Sequence, residues 1–369
     1  MIIGVLKEPN PETRVSFLPE HLATTKKWNV DVMVEEGAGL TAYANDEVYK
    51  AAGAKIASRY EVLANANIIL SINNLSAADT ANLSSKILVG NFQALFNAAL
   101  IKEWAAKNNT IFSMDMLPRT TRAQSMDILS SQANIAGYKA VITAAALYPK
   151  YFPMFMTAAG SIAPAKVLIL GAGVAGLQAI ATAKRLGAVV EVFDTRPAVK
   201  EEVQSLGAKF IEVEGAADAS KAGGYAVEQS DEFMQRQKAK IAESVAKADI
   251  IVTTAQIPGK KAPILVTNAM LDSMKNGSVI IDLAASTGGN TEQTKNDETV
   301  VYKGVRIVGN SFLPSTMPAD ASKLYGKNVL NFLQLIITKE GAINLNFEDD
   351  LVKGTCVAHG GQITNDRIK

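Results

Sequence analysis

Short apolar runs alternate with helix-length amphipathic segments along the whole chain, the pattern of parallel sheets covered on both faces by helices. Two such units can be read. In the first, strands are predicted at 2–6, 30–34, 68–72, 87–89 and 110–113, with helices near 19–28, 46–52 and 98–107. In the second, strands are predicted at 167–170, 189–193, 208–211, 249–254, 278–283 and 305–308, with helices at 174–186 and 232–246. Two longer helical patterns look like connectors. One, 127–147, carries Ile128, Ile135, Val141, Ile142 and Leu147 among alanines; the other, 319–337, carries Leu324, Val329, Leu330, Phe332, Leu333 and Ile336. A chain that crosses twice returns to its starting domain. The expected domains are therefore 1–128 with 312–369, and an inserted 129–311.

The turn that opens the second unit carries chemistry. Gly171, Gly173 and Gly176 form GAGVAG directly behind the strand 167–170 and directly before a helix, and a second strand ends at Asp194. That context makes a GxGxxG motif informative. Gly171 permits the tight turn, Gly173 lets backbone approach a pyrophosphate, Gly176 lets helix and strand pack closely, and the helix N-terminus offers unpaired N–H groups. Asp194 lies 18 residues past Gly176, near the roughly 20-residue spacing at which a carboxylate accepts from adenosine ribose hydroxyls. The expected nucleotide is NAD(H), because a 2'-phosphate would meet that carboxylate with like charge. Arg196 argues the other way, since a guanidinium there can hold a 2'-phosphate. The fold class expected is α/β, with two doubly wound Rossmann-like parallel-sheet domains joined by two long helices and a cleft between them where a nicotinamide would emerge.

Bulk properties exclude more than they assign. A chain of 369 residues is long for one core. With 37 Lys and Arg against 36 Asp and Glu the net charge is +1, which removes any electrostatic case for nucleic acid. One cysteine, Cys356, makes no intrachain disulfide, and the two histidines, His21 and His359, make no metal site by themselves. The N-terminus has no signal-peptide pattern, and the most apolar stretch, 151–165, is too short to span a bilayer and contains Pro153 and Pro164. A cytosolic chain with no direct membrane span is expected.

Two polar segments invite functional readings. PRTTRAQSMDILSSQAN, 118–134, gathers Arg119, Arg122, Gln124, Asp127, Ser130 and Gln132 at the first connector. It either orients a nicotinamide carboxamide and a diphosphate, or is a helix start in which Ser125 caps, Asp127 favours the first turn and the arginines are solvated. The segment 212–233, rich in Ala, Gly, Asp and Ser with Tyr225 inside it, is either a flap or an excursion. Candidate proton acceptors are few: His21 is expected in a surface helix and His359 in the C-terminal tail. Dehydrogenases of hydroxy or amino acids move a proton as well as a hydride, whereas transfer between two nicotinamides needs only positioning.

The blocks GAGVAGLQAIATAKRLGAVVEVFDTRPAVKE, RAQSMDILSSQANIAGYKAV, TTAQIPGKKAP and GSVIIDLAASTGGN together resemble domain I, the NAD(H)-binding alpha-subunit portion, of proton-translocating nicotinamide nucleotide transhydrogenases, in the alanine dehydrogenase/transhydrogenase family. The resemblance covers nearly the whole chain. It implies a homodimer on the cytoplasmic or matrix side of the inner membrane, working with an NADP(H)-binding domain III and a proton-carrying membrane domain II. Hydride would pass from NADH here to NADP+ on the partner. By the same resemblance Arg119, Arg122, Gln124, Asp127 and Ser130 fall on the nicotinamide side, with Thr120 and Thr121 beside them. Val174 and the glycine turn fall on the pyrophosphate, Asp194, Thr195 and Arg196 on the adenosine ribose, and Gly224, Gln237 and Gln256 on the rest of the pocket. Tyr225 matches a mobile loop that closes over the nucleotide, which makes the 212–233 segment a lid with Gly223 and Gly224 as its hinge; with Arg119, Gln124, Asp127 and Ser130 it is expected to set the geometry of transfer.

Alanine dehydrogenase resembles the same fold and shares the pattern KEPNPETRVSFLPE at 7–20. Its substrate arginine is present as Arg14. Its catalytic lysine is Ser71 here, and where its catalytic histidine is expected Asn91 and Phe92 stand instead. Amino-acid dehydrogenation is the alternative expectation.

Overall fold

The structure is a computed structural model that describes residues 1–213 and 230–368. Two compact units divide the chain, one of 1–132 with 314–369 and one of 133–313. The first crossing falls inside the helix Ile128–Leu147, and the return falls in the turn Leu313–Thr316 just ahead of the helix Pro318–Ile336. Among the described residues no helix is long and apolar enough to cross a membrane.

In the first unit eight strands lie in the spatial order Gln362–Ile363, Cys356–His359, Thr110–Ser113, Ile87–Gly90, Ile68–Leu70, Ile2–Val5, Asp31–Glu35, Lys55–Ala57. The six from Thr110–Ser113 onward are parallel; the two contributed by the C-terminal segment are antiparallel. Strands such as Ile68–Leu70 and Ile87–Gly90 are buried at every residue, which explains why they read as continuous apolar runs instead of alternating ones. Their side chains part to opposite faces. Ile68, Leu70 and Val89 join Val329, Phe332, Leu333 and Ile336 of the helix Pro318–Ile336, while Ile69, Leu88 and Ile111 join Ile101 and Trp104.

The second unit orders its strands Lys209–Phe210, Val189–Phe193, Lys166–Leu170, Ile250–Thr253, Val279–Asp282, Val305–Val308, Thr299–Tyr302. Numbered along the chain with the edge hairpin strand Thr299–Tyr302 set aside, the order is 3-2-1-4-5-6, and the strand order reverses beside Lys166–Leu170. All pairs are parallel except the last. The face holding Val167, Ile169 and Val252 is covered by Ala140, Val141 and Ala144 of Ile128–Leu147 and by Ala179, Ile180 and Ala183 of the helix Val174–Arg185. Ile241 and Val245 of Asp231–Lys247 cover the other.

The sequence reading missed the edges. Strands Lys55–Ala57, Thr299–Tyr302, Cys356–His359 and Gln362–Ile363 and the hairpin Phe155–Thr157 with Gly160–Ile162 are short or partly exposed, so their apolar signal is weak. Helices Arg59–Asn65 and Ala77–Thr80 were also missed. Both start with a capping box, Ser58 with Glu61 and Ser76 with Asp79, a signal that stands openly in the sequence.

A buried polar cluster ties the first unit's distant segments together. Glu12 takes Arg14 Nε and Nη2 at 2.8 and 2.6 Å and the Ser315 hydroxyl at 2.6 Å, while Arg14 Nη1 donates to Gln132 Oε1 at 2.8 Å. Beside it Glu8 accepts from the Ile72 and Asn73 backbone and from Asn73 Nδ2 at 2.5–3.2 Å. Burial raises both carboxyls, but Arg14 overcomes it at Glu12 and holds that group down at about 2. At Glu8 burial wins against the inward donors and pushes the carboxyl up to about 7. A carboxyl raised in the folded chain contributes stability that is fully present below its unfolded value near 4.5 and is lost as pH rises through about 7. Denaturant midpoints measured from pH 5 to 8 should therefore fall more steeply in the wild type than in Glu8→Gln, the two curves separating by on the order of 2–3 kcal/mol; parallel curves would show that Glu8 does not titrate there.

Candidate functional site

In the second unit the site grows from one backbone approach. The strand Lys166–Leu170 ends at the reversal of strand order, and Gly171 turns the chain with φ +107°. A Cβ on Gly171 would lie 2.4 Å from Thr254 Oγ1, and one on Gly176 would lie 1.9 Å from the Gly171 carbonyl oxygen. Neither position admits a side chain. Gly137, on Ile128–Leu147, comes as close to the helix, its Cβ direction reaching the Ala175 carbonyl oxygen at 2.0 Å. Gly173 differs. Its φ of −79° suits any residue, yet a Cβ there would meet nothing within 4 Å. It is the N-cap of Val174–Arg185, where no side chain caps the helix and the first turn carries no acid. This is positive, open helix-end potential in front of which a phosphate fits.

The adjoining strand supplies Asp194. Its carboxylate accepts from Ala172 N at 2.7 Å and from Arg196 N at 2.8 Å, so it bridges its own strand end to the glycine turn. Arg196 adds Nε at 2.9 Å and Nη2 at 2.8 Å, forming an ion pair whose side chains are 19% and 5% exposed for Arg and Asp. The structure thus brings together Gly171, Gly173, Val174, Gly176, Asp194, Thr195 and Arg196, with Val174 exposed. Gln256 follows the next strand, exposed, with Nε2 donating to the Leu283 carbonyl at 2.9 Å. Gln237 is half-buried on Asp231–Lys247. Gly224 and Tyr225, and the lid built on them, lie outside the described residues.

A supporting network escaped the sequence reading. Asp282, fully buried at the end of Val279–Asp282, accepts from Ala284 N, Asn290 N and the Thr294 hydroxyl at 2.6–2.9 Å. Asn290 in turn bonds Ala255 N and O and the Pro263 carbonyl at 2.8–3.0 Å. Together they hold the loops after two strands, Gln256 among them. A lone acid at the end of an apolar strand, in IIDLAASTGGN, was the available signal.

In the first unit, Thr121–Met126 is a 3-10 helix anchored by buried Ala123 and Met126, which leaves Arg119, Thr120, Thr121 and Gln124 exposed. The capping residue of Ile128–Leu147 is Asp127, correcting the expectation of Ser125: Asp127 accepts from Ser130 N at 3.0 Å and the Ser130 hydroxyl at 2.6 Å. Ser125 instead offers its carbonyl to Asn328 and Asn331 at 2.8 and 2.9 Å. Arg122 is not merely solvated. Its guanidinium forks onto Asp349 at 2.6 and 2.7 Å and reaches Asp350, holding the Asp349 carboxyl down at about 2.

Ser71, Asn91 and Phe92 stand at the positions that the alanine dehydrogenase resemblance gives to a lysine and a histidine. The Ser71 hydroxyl donates to the Asn73 carbonyl at 2.9 Å, and the Ser71 carbonyl accepts from Tyr325 at 3.0 Å. Phe92 is fully buried edge-on against Trp104. His21 is buried, with Nδ1 accepting from Leu18 N, and His359 bonds Thr110.

Comparison with known proteins identifies the family. The family model described as alanine dehydrogenase/PNT, N-terminal domain, matches residues 4–136, and that of the C-terminal domain matches 140–366. An NAD(P) transhydrogenase subunit alpha chain of Rhodospirillum rubrum is 45% identical over 99% of this chain and 98% of its own length. The crystal structure of a transhydrogenase from Sinorhizobium meliloti superposes with a TM-score of 0.90 at 45% identity, covering 98% of this chain and 100% of that one. An L-alanine dehydrogenase structure, 22% identical, shares the fold with a TM-score of 0.81 over 100% of this chain and 98% of its own. The chain therefore belongs to the alanine dehydrogenase/PNT family, alongside the transhydrogenase alpha subunits, and is a nicotinamide-nucleotide oxidoreductase.

Proposed function

We propose that this chain is the NAD(H)-binding component of a proton-translocating transhydrogenase, passing hydride from NADH to NADP+ held on a partner domain. A membrane partner would couple that transfer to proton movement, with this chain on the cytoplasmic or matrix side. The observation that carries the reading is Gly173: neither its backbone conformation nor its surroundings in the folded chain require glycine, and the space in front of it is open. A pyrophosphate is the ligand that fits an open, uncapped helix end with no acid in its first turn. The nucleotide supplies the hydride chemistry; the chain's residues bind and orient. Asp194 would accept from the adenosine ribose, Gln256 and Gln237 would line the pocket, and Arg119, Thr120, Thr121, Gln124, Asp127 and Ser130 would place the nicotinamide. Arg122 would serve by fixing that loop to Asp349.

Amino-acid dehydrogenation is the weaker reading. Arg14, which would hold a substrate carboxylate, already has its charge matched by Glu12 at 2.6 Å, and Ser71 and Phe92 provide no proton acceptor. The relatives named as subunits support a multi-component assembly, and a homodimer gives a role to the hairpin Phe155–Thr157 with Gly160–Ile162. All six of its strand residues are exposed, with Tyr151, Met154, Phe155, Met156 and Ile162 uncovered. An isolated hairpin is marginal in water, and a second copy would cover it.

Gly173→Ala should fold with a stability change under about 1 kcal/mol yet weaken NADH binding about tenfold or more, whereas Gly176→Ala should cost on the order of 1–3 kcal/mol of stability. Calorimetric NADH titration and melting distinguish them, and Gly173→Ala binding NADH normally would remove the pyrophosphate assignment. With an NADP(H)-binding partner domain added, the chain should catalyse hydride exchange between NADH and NADP(H), and Gln124→Asn should lower the rate more than the NADH affinity. Turnover of pyruvate and ammonium by the chain alone would favour the second reading. Sedimentation at micromolar concentration should give a dimer that Met156→Glu shifts toward monomer; a monomeric wild type would count against the homodimer.

A further inference from the structure

An ionised carboxylate offers about four lone-pair positions, and those of Asp194 are all engaged. Two are taken by backbone donors that cannot leave without unmaking the turn, Ala172 N at Oδ2 and Arg196 N at Oδ1, at 2.7 and 2.8 Å. The other two are taken by the Arg196 side chain, Nε at Oδ1 and Nη2 at Oδ2, at 2.9 and 2.8 Å. These two donors belong to a side chain that is 19% exposed, and exchanging them for other donors leaves the turn's backbone bonds in place. An adenosine ribose presents two hydroxyl donors, the same number that the guanidinium contributes.

We propose that Arg196 sets nucleotide selectivity at this turn by competing with the adenosine ribose hydroxyls for two acceptor positions on Asp194. The inference rests on the NAD(H) reading and deepens it. Ribose binding exchanges the Nε and Nη2 bonds for two hydroxyl bonds, while Ala172 N and Arg196 N keep the carboxylate oriented. The same pairing alters the charge that a nucleotide meets. Asp194 alone would repel a 2'-phosphate, but an Asp194–Arg196 pair is neutral, and a displaced guanidinium is a good phosphate partner. Asp194 thus favours NAD(H), and Arg196 both weakens that binding and moderates the rejection of NADP(H). Arg196 occupies the next residue but one after Asp194, so its effect is built into a single turn between Phe193 and Pro197.

The test is calorimetric titration of the full chain with NADH and with NADPH, comparing wild type, Arg196→Ala and Arg196→Lys, with melting curves as folding controls. The ratio of the NADPH to the NADH dissociation constant should rise about tenfold in Arg196→Ala, the scale of one charged hydrogen-bonded contact, with NADH bound at least as tightly as by the wild type. Arg196→Lys should fall between, since an ammonium lacks the planar fork that spans both oxygens. If Arg196→Ala weakens NADH as much as NADPH, the guanidinium is an ordinary nucleotide contact and the proposal is wrong. A wild type that binds NADH with a ratio unchanged in both variants overturns this inference alone. A wild type that binds neither nucleotide overturns the NAD(H) reading and the inference with it.

Discussion

The second unit depends on backbone lying against backbone where the helix Val174–Arg185 leaves the strand Lys166–Leu170. Gly176 stands over the Gly171 carbonyl, Gly171 lies against the Thr254 hydroxyl, and Gly137 of Ile128–Leu147 closes on the Ala175 backbone. Three elements therefore meet without side chains between them. A contact this close aims the helix axis and its dipole at one spot beyond the strand ends. Gly173 is the exception that gives the contact its use, because the space before it is left open while its neighbours are filled.

The first unit solves a different problem with charge. Glu12 and Arg14 satisfy one another below the surface, and Gln132 and Ser315 complete their bonds, which joins the N-terminal segment to the start of Ile128–Leu147 and the turn before Pro318–Ile336. An isolated buried charge would be costly, and a matched, hydrogen-bonded pair is tolerable. The same matching leaves Arg14 with little to offer an anionic substrate. A fold shared with an alanine dehydrogenase at a TM-score of 0.81 thus carries, in this chain, a carboxylate and a guanidinium matched to one another.

Much of this was legible along the chain. The buried parallel strands announced themselves as short apolar runs, and Val189–Phe193, Thr110–Ser113 and Val305–Val308 have the boundaries that the pattern predicts. Edge strands were not legible, because Thr299–Tyr302 and Phe155–Thr157 keep exposed faces whose composition resembles a loop. The glycine turn and Asp194 could be placed from spacing. What Asp194 bonds to could not: Arg196 reaches back onto it only because the turn folds in that shape, and the rivalry between acid and guanidinium weighed in the sequence is an ion pair in space. Arg122 is further removed from inference, since its partners Asp349 and Asp350 are 227 and 228 residues away.

By itself, then, the sequence determined what is local: the period of apolar positions and the glycines that a tight strand-to-helix turn demands. These follow from backbone sterics and from the chemistry of single residues, which neighbours in sequence suffice to express. Only the tertiary structure decided which polar groups neutralise one another. Glu12 with Arg14 and Ser315, Asp282 with Asn290 and Thr294, Arg122 with Asp349, and Arg196 with Asp194 are choices of distance and burial. Electrostatic and hydrogen-bond energies change over a few ångströms, a scale on which order along the chain carries little information.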